Sequence, residues 1–591
     1  MGLDMRWNLD ALYQSFEDEK FKKDMEDFRT AVSELTAFAE GLRQDGDPLP
    51  KLEEYVNRIN ELDRFNCLSW YTQLIISVDA ENEQAQKMDN AIENIFTDLT
   101  KPDVLFRTFL TGIEDLDGPI ERSELLKQHA FALREMKMQA GYDLPEAVET
   151  AVAKLATTGS SAWGNMKEQL FALLTAEVPM EGEKKRLPLT AVRNLAYVEK
   201  PEVRKAAFEA EITAYDRIST ACAAALNGIK GEVLHVTKMR GYASPLDMTL
   251  LDSRMERATL DAMFAAMEDY FPAFRQYFRK KAEMLGYSNG LPFYDLFAPV
   301  PGGRDMQFSY DEAADFVVRQ FTAFSKKMGG FARNAFDNGW VDAEMREGKR
   351  GGAFCENMHY LRQSRIMANF GGSFNDVCTL AHELGHAYHG DCLNDETYLN
   401  SSYTMPIAET ASTFCETLIC DAALRTAAPE EALTILENDI SSAAQVIVDI
   451  YSRFLFEDEV IRRRVDGPLS VNELKEVMMD SQRKAYGNGL DPNMLHPFMW
   501  ICKPHYYYAD SNYYNFPYAY GQLFSKGLYA EYLKKGDAFI ETYDRLLAAT
   551  GKHTLEEVGD LAGVNVREKA FWAGSLELYK QMIDRFCGYG A

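Results

Sequence analysis

The stretch CTLAHELGHAYHG, Cys378 to Gly390, carries three of the chain's nine histidines and constrains the fold more than any other segment. Val377, Leu380, Ala381, Leu384 and Ala387 recur at offsets of three and four, which predicts an amphipathic helix. Asn375 or Asp376 is expected to cap its start and Gly390 to end it. At about 100° per residue, His382, His386 and His389 fall opposite the apolar stripe, so they are expected to face another space rather than the core. His382 and His386 lie one turn apart, close enough to hold one ion, and Glu383 sits beside them at an angle that leaves it off the ion. This is the HExxH arrangement of zinc hydrolases. His389, two turns beyond His382, is expected to support the ligands or the fold rather than bind.

Two histidines are one ligand short of the three protein ligands that a hydrolytic zinc site uses, so a second element must come alongside the first. Met405 to Leu424, MPIAETASTFCETLICDAAL, offers it. Pro406 suits a first helical turn, and Ala408, Ala411, Cys415, Leu418, Ile419 and Ala422 form the stripe. Glu409 and Glu416 share another face, which alone fits a solvated surface equally well. Beside HExxH, however, Glu409 follows His386 by 23 residues, enough for a loop and an adjacent helix. Glu409 would complete a His/His/Glu set, and Glu416 would orient a histidine or Glu409.

Ser364 to Gly390, followed by AETASTFCE at Ala408 to Glu416, resembles oligoendopeptidase F and the wider thimet-oligopeptidase-like zinc peptidases. The opening, MRWNLDALYQSFEDEKFKKD, is similar too, so the resemblance spans nearly the whole chain. It implies a mainly α fold, large and two-lobed, with a deep central substrate channel and a small β element near the active site. It further implies an N-terminal helical region over 1–115, connecting helices and a short hairpin over 116–200, and a catalytic domain over 201–591. On the same basis one Zn2+ per chain is held by His382, His386 and Glu409, and Glu383 is the general base.

The substrate main chain is expected on an edge strand at Ile366 to Phe370, with Ala368, Asn369, Phe370, Gly371 and Gly372 touching it. Lys503 to Ser525 holds seven tyrosines. By resemblance His505, Tyr514 and Tyr518 are expected to contact the scissile carbonyl. Gln522 stands where some relatives have Tyr, which leaves open which tyrosine donates to the oxyanion. Short peptides are the implied substrates. Two other readings accompany this one: a helix-rich HExxH metallocarboxypeptidase, and a helical peptide-binding protein with an inactive metal site.

Lys and Arg number 63 against 91 Asp and Glu, a net charge of −28, which disfavours nucleic acid as a partner. Nine cysteines with no CxxC pair point to a reducing compartment. The N-terminus lacks a basic-then-apolar signal pattern, and no apolar run approaches membrane-spanning length. A cytoplasmic protein without membrane contact is expected. Amphipathic helices should alternate with short polar breaks throughout, interrupted by a hairpin at Ala176 to Ala191, and Ser309 should cap the helix that follows it.

Overall fold

Helix starts in this chain carry polar caps: Asp18, Asn82, Ser309 and Thr554 each accept a hydrogen bond from a first-turn N–H. The computed structural model describes residues 2–180 and 182–589. It is predominantly helical, with one two-stranded and one three-stranded sheet. Among the described residues no helix is long and apolar enough to cross a membrane.

The apolar stripes assemble three cores. The first runs from Leu12 to Leu133, includes helix α1 (Asn66–Val78), and reaches across the chain to Met358. The second joins the expected hairpin, β1 (Thr175–Met180) and β2 (Glu183–Pro188), to the long helix α2 (Pro201–Arg240) and to residues between Phe456 and Tyr507. The third and largest gathers most of the chain after Leu246. Helix α2 stops at Gly241, whose φ of +89° is the left-handed cap that glycine adopts without a Cβ penalty.

The small sheet by the site has the order β3 (Val341–Asp342), β5 (Gln363–Met367), β4 (Phe354–Met358). β3 runs parallel to β5 and β4 antiparallel. The segment expected to be an edge is therefore central. Ile366 and Ala368 donate to the carbonyls of Trp340 and Asp342, and Phe370 donates to Ala343. With Ala368 and Phe370 buried and their N–H groups used, Ile366 to Phe370 does not present the free edge expected of it. β3 and β4 are the sheet's two edges, each pairing with β5 alone among the described residues, and β4, at five residues against two, is the longer. Asn369 instead ties the preceding loop, donating to the carbonyls of Arg350 and Gly352. Gly371 N–H donates to Asp376, and Gly372, at φ +96°, turns the chain into the next helix.

That helix, α3 (Phe374–Leu393), opens with Ser373 and Asp376 in a reciprocal capping box, so Ser373 is the cap in place of Asn375 or Asp376. It runs through Gly390, which does not end it; a Cβ there would collide with the Asn357 side chain. α4 (Met405–Ala408) starts with Pro406 in its first turn. It breaks at Glu409 (φ −84°, ψ 1°), and α5 (Thr410–Leu424) continues.

α3 and α5 touch through Gly385. A Cβ at that position would lie 2.6 Å from both the Ala411 carbonyl oxygen and the Ser412 Cα. Both atoms are backbone, so no rotamer change relieves the contact. Gly385→Ala gains at most ~1 kcal/mol of helix propensity, while overpacking typically costs about 1–3 kcal/mol. The net result expected is a lower unfolding free energy, read by denaturant melts.

Candidate metal centre and active site

The contact at Gly385 sets Glu409 opposite the histidines on α3. His382 Nε2 lies 3.2 Å from His386 Nε2, and a Glu409 carboxylate oxygen lies 3.3 Å from the first and 3.5 Å from the second. Three ligands each about 2.0 Å from one tetrahedral ion stand about 3.3 Å apart. The triangle therefore fits zinc in size, in donor type and in leaving a fourth direction for water or substrate. Among the described residues these three form the group able to hold such an ion.

Neighbouring side chains fix each ligand. Glu416 accepts from His382 Nδ1 at 2.5 Å, which directs Nε2 toward the triangle. Ser412 Oγ donates to the Glu409 carboxylate at 2.9 Å. Asn357 on β4 donates to the His386 carbonyl at 3.1 Å. Burial acts to raise the Glu409 pKa, but hydrogen bonds from His382 and His386 outweigh it and hold the carboxyl below its usual range. Burial disfavours the imidazolium of His382, yet Glu409 and Glu416 together push its pKa well above that of free imidazole. A metal ion at this ring would therefore compete with protons for it. Glu383 is raised, chiefly by burial, with His382 and His386 opposing, which moves it toward the range useful to a base.

His389 departs from the helical-wheel expectation. It is fully buried, stacked on Tyr403 at 4.1 Å, with Nε2 2.8 Å from Thr550 Oγ1. Burial pushes its pKa down to about 3, so it is a neutral core histidine. Its position on the wheel is polar by the rule of one helix, but Tyr403 and Thr550, from distant segments, cover it.

The tyrosine-rich segment approaches from the other side. The ring centroids of His505 and Tyr514 are 5.0 Å apart, and those of Tyr514 and Tyr518 5.7 Å apart. Tyr514 points its hydroxyl at Met405 Sδ, 3.7 Å away, one turn before Glu409. Burial first, then Tyr514 and Glu409, raise the Tyr518 pKa, so its phenol keeps its proton and remains a donor. Tyr518 rides on helix α6 (Phe516–Lys535). α6 comes close because Gly521 has no side chain: a Cβ there would lie 2.9 Å from Glu409 Cβ. Gln522 donates to Tyr579 at 2.7 Å.

The loop before α6 is pinned from below. Buried Lys230 donates to Glu457 and to Asn512, each at 2.8 Å, and Asn515 donates to the other Glu457 oxygen at 3.0 Å. Tyr513 holds a left-handed φ of 53°, with its hydroxyl bonded to Asp458, a conformation that needs such support.

Sequence reasoning missed Ser412, Asn357, Gly385 and Gly521. The two glycines lay in view inside otherwise helical patterns, where an interior glycine signals close backbone approach. Ser412 and Asn357 carried no local signal.

The chain matches the profile described as Peptidase family M3 over residues 194–578. It is 23% identical to oligopeptidase PepF of Bacillus subtilis over 589 residues, covering 98% of this chain and 86% of that one. A crystal structure from Chlamydophila abortus shares the fold at TM-score 0.82, with 19% identity over 98% of both chains. Oligoendopeptidase-F from Enterococcus faecium follows at TM-score 0.70 and 18% identity, covering 96% of this chain and 98% of that one. With the family profile matching well over half its length, the chain belongs to peptidase family M3.

Proposed function

We propose that the chain is a zinc-dependent endopeptidase that hydrolyses internal bonds of short, unstructured peptides, and that it acts inside the cell. The observation that carries this reading is the His382, His386, Glu409 triangle, with edges of 3.2, 3.3 and 3.5 Å and Glu383 beside it. The relatives' names, oligopeptidase and oligoendopeptidase F, support short peptides as the substrate class.

His382, His386 and Glu409 would hold the ion. Zinc supplies Lewis acidity when bound, making water acidic near neutral pH and drawing electron density from a carbonyl. Glu383 takes the proton of the attacking water on its carboxylate and passes it to the leaving nitrogen, so water and one peptide bond become a carboxylate and an amine. Tyr514, Tyr518 and His505 donate toward the oxygen on which charge develops. Burial, followed by Arg453 and Lys503, lowers the His505 pKa, so it serves as a neutral imidazole.

The substrate main chain pairs with the free edge of β4, through the outward backbone groups of Cys355 and Asn357. One contact supports that location: Asn357 bonds the His386 carbonyl. Pairing of this kind reads main chain rather than side chain and requires an extended partner, which a folded protein cannot present without unfolding.

Digestion of a ten-residue peptide and of a stably folded protein, followed by mass analysis, tests the reading. Internal cleavage of the peptide, abolished by chelator and restored by zinc, is expected, with the folded protein intact. Glu383→Gln should keep its zinc and lose about 10²–10⁴-fold in turnover. A zinc-loaded Glu383→Gln enzyme with near-normal kcat contradicts the assignment of the base.

The carboxylates separate by metal analysis. Glu409→Ala should abolish stoichiometric zinc binding, whereas Glu416→Ala should weaken it by ~10–100-fold. The reverse ranking would make Glu416 the ligand.

A further inference from the structure

Between the first core and β4 lies a cavity of about 390 Å³ whose lining includes Asn66 and Trp70 of α1, Glu356 of β4, His359, Arg362 and Tyr398. Glu356 sits between Cys355 and Asn357 on the strand whose far edge is open. Its cross-strand partner on β5 is Arg365, the natural counter-ion for that face. Yet Arg365 turns its guanidinium to the Asn8 carbonyl, the Ser364 carbonyl and Gln363 Oε1. The basic residues that line the cavity are engaged as well: His359 binds Asp63 at 2.6 Å and Arg362 binds Asp395 at 3.0 Å. Glu356 is thus a partly buried carboxylate that none of these cations neutralises, in a cavity that an indole and a phenol also line.

We propose that this cavity is a specificity subsite in which Glu356 receives a cationic nitrogen of the bound peptide, from a lysine or arginine side chain or from the free N-terminus. The inference rests on the peptidase reading and on β4 as the strand that pairs with substrate. A peptide along that edge passes the cavity mouth, because the lining runs through Glu356, Asn357, Met358 and His359 in succession. Burial pushes the Glu356 carboxyl up to about 7, with the Trp70 indole opposing. An arriving ammonium restores the ionised form and gains a charge-assisted hydrogen bond. Aromatic rings around a carboxylate favour a cation further through their π faces.

The test is a lysine walk. Eight-residue peptides of neutral composition carry one Lys, or norleucine in its place, at each position in turn, and each is made with a free and with an acetylated N-terminus. Zinc-loaded wild type should show a gain in kcat/KM of about tenfold or more at one position, or for the free amine over the acetylated form. The two arms separate side chain from terminus. Glu356→Gln, which keeps a hydrogen-bond acceptor for Trp70, should bring that ratio below about twofold, and Glu356→Asp should retain part of it. Equal rates across the walk in wild type, or an undiminished ratio in Glu356→Gln, overturn the subsite. Should the Gln variant fail to fold, the wild-type holoenzyme crystallised with its preferred peptide decides, since the cation must then lie at the Glu356 carboxylate and not elsewhere. Cleavage of none of these peptides would refute the peptidase reading itself, whereas cleavage without charge preference refutes Glu356 alone.

Discussion

The site depends on one close approach of backbone. Gly385 lies between the two histidines of HExxH, and the missing side chain lets α5 come within 2.6 Å of where a Cβ would stand. At that separation the Glu409 carboxylate lies 3.3 Å and 3.5 Å from the two imidazoles. Gly521 repeats the device on the other side of Glu409, bringing α6 and Tyr518 against the same residue. Two glycines in helices, each unfavourable by ~1 kcal/mol relative to alanine, thus let three helices converge on one carboxylate.

Around that convergence the charges are arranged by neighbours rather than by exposure. Glu416 orients His382 and Ser412 orients Glu409, while the buried Lys230–Glu457 pair fixes the loop that leads to Tyr514. Breaking one partner of such a buried pair leaves an uncompensated charge and is strongly destabilising. The tyrosine segment is therefore anchored through residues outside the His382, His386 and Glu409 triangle. Glu356 is the exception, a carboxylate left uncompensated by the cations around it, in a cavity beside the strand.

Much of this was legible in the sequence. The helical class, the hairpin, the Ser309 cap and the two segments that carry the His382, His386 and Glu409 group follow from periodicity, turn chemistry and spacing. What was not legible depends on remote chain. His389 occupies a polar position on the wheel of α3, but Tyr403 and Thr550 bury it. Ile366 to Phe370 has the character of a strand, yet its place in the sheet is set by Val341–Asp342, a two-residue strand too short to leave a pattern. β4 is accordingly the longer of the sheet's two edges. The break at Glu409, where the backbone leaves helical geometry between α4 and α5, likewise has no glycine or proline to announce it.

Zinc K-edge absorption on the metal-loaded chain tests the central claim most directly, because it counts the kinds of atom around the ion. The account predicts one zinc per chain, ligated by two imidazole nitrogens and otherwise by oxygen, with no sulfur. A sulfur neighbour would contradict it, since Cys355, Cys378 and Cys420 lie near the site without belonging to the triangle. A shell with fewer than two imidazoles would contradict it equally.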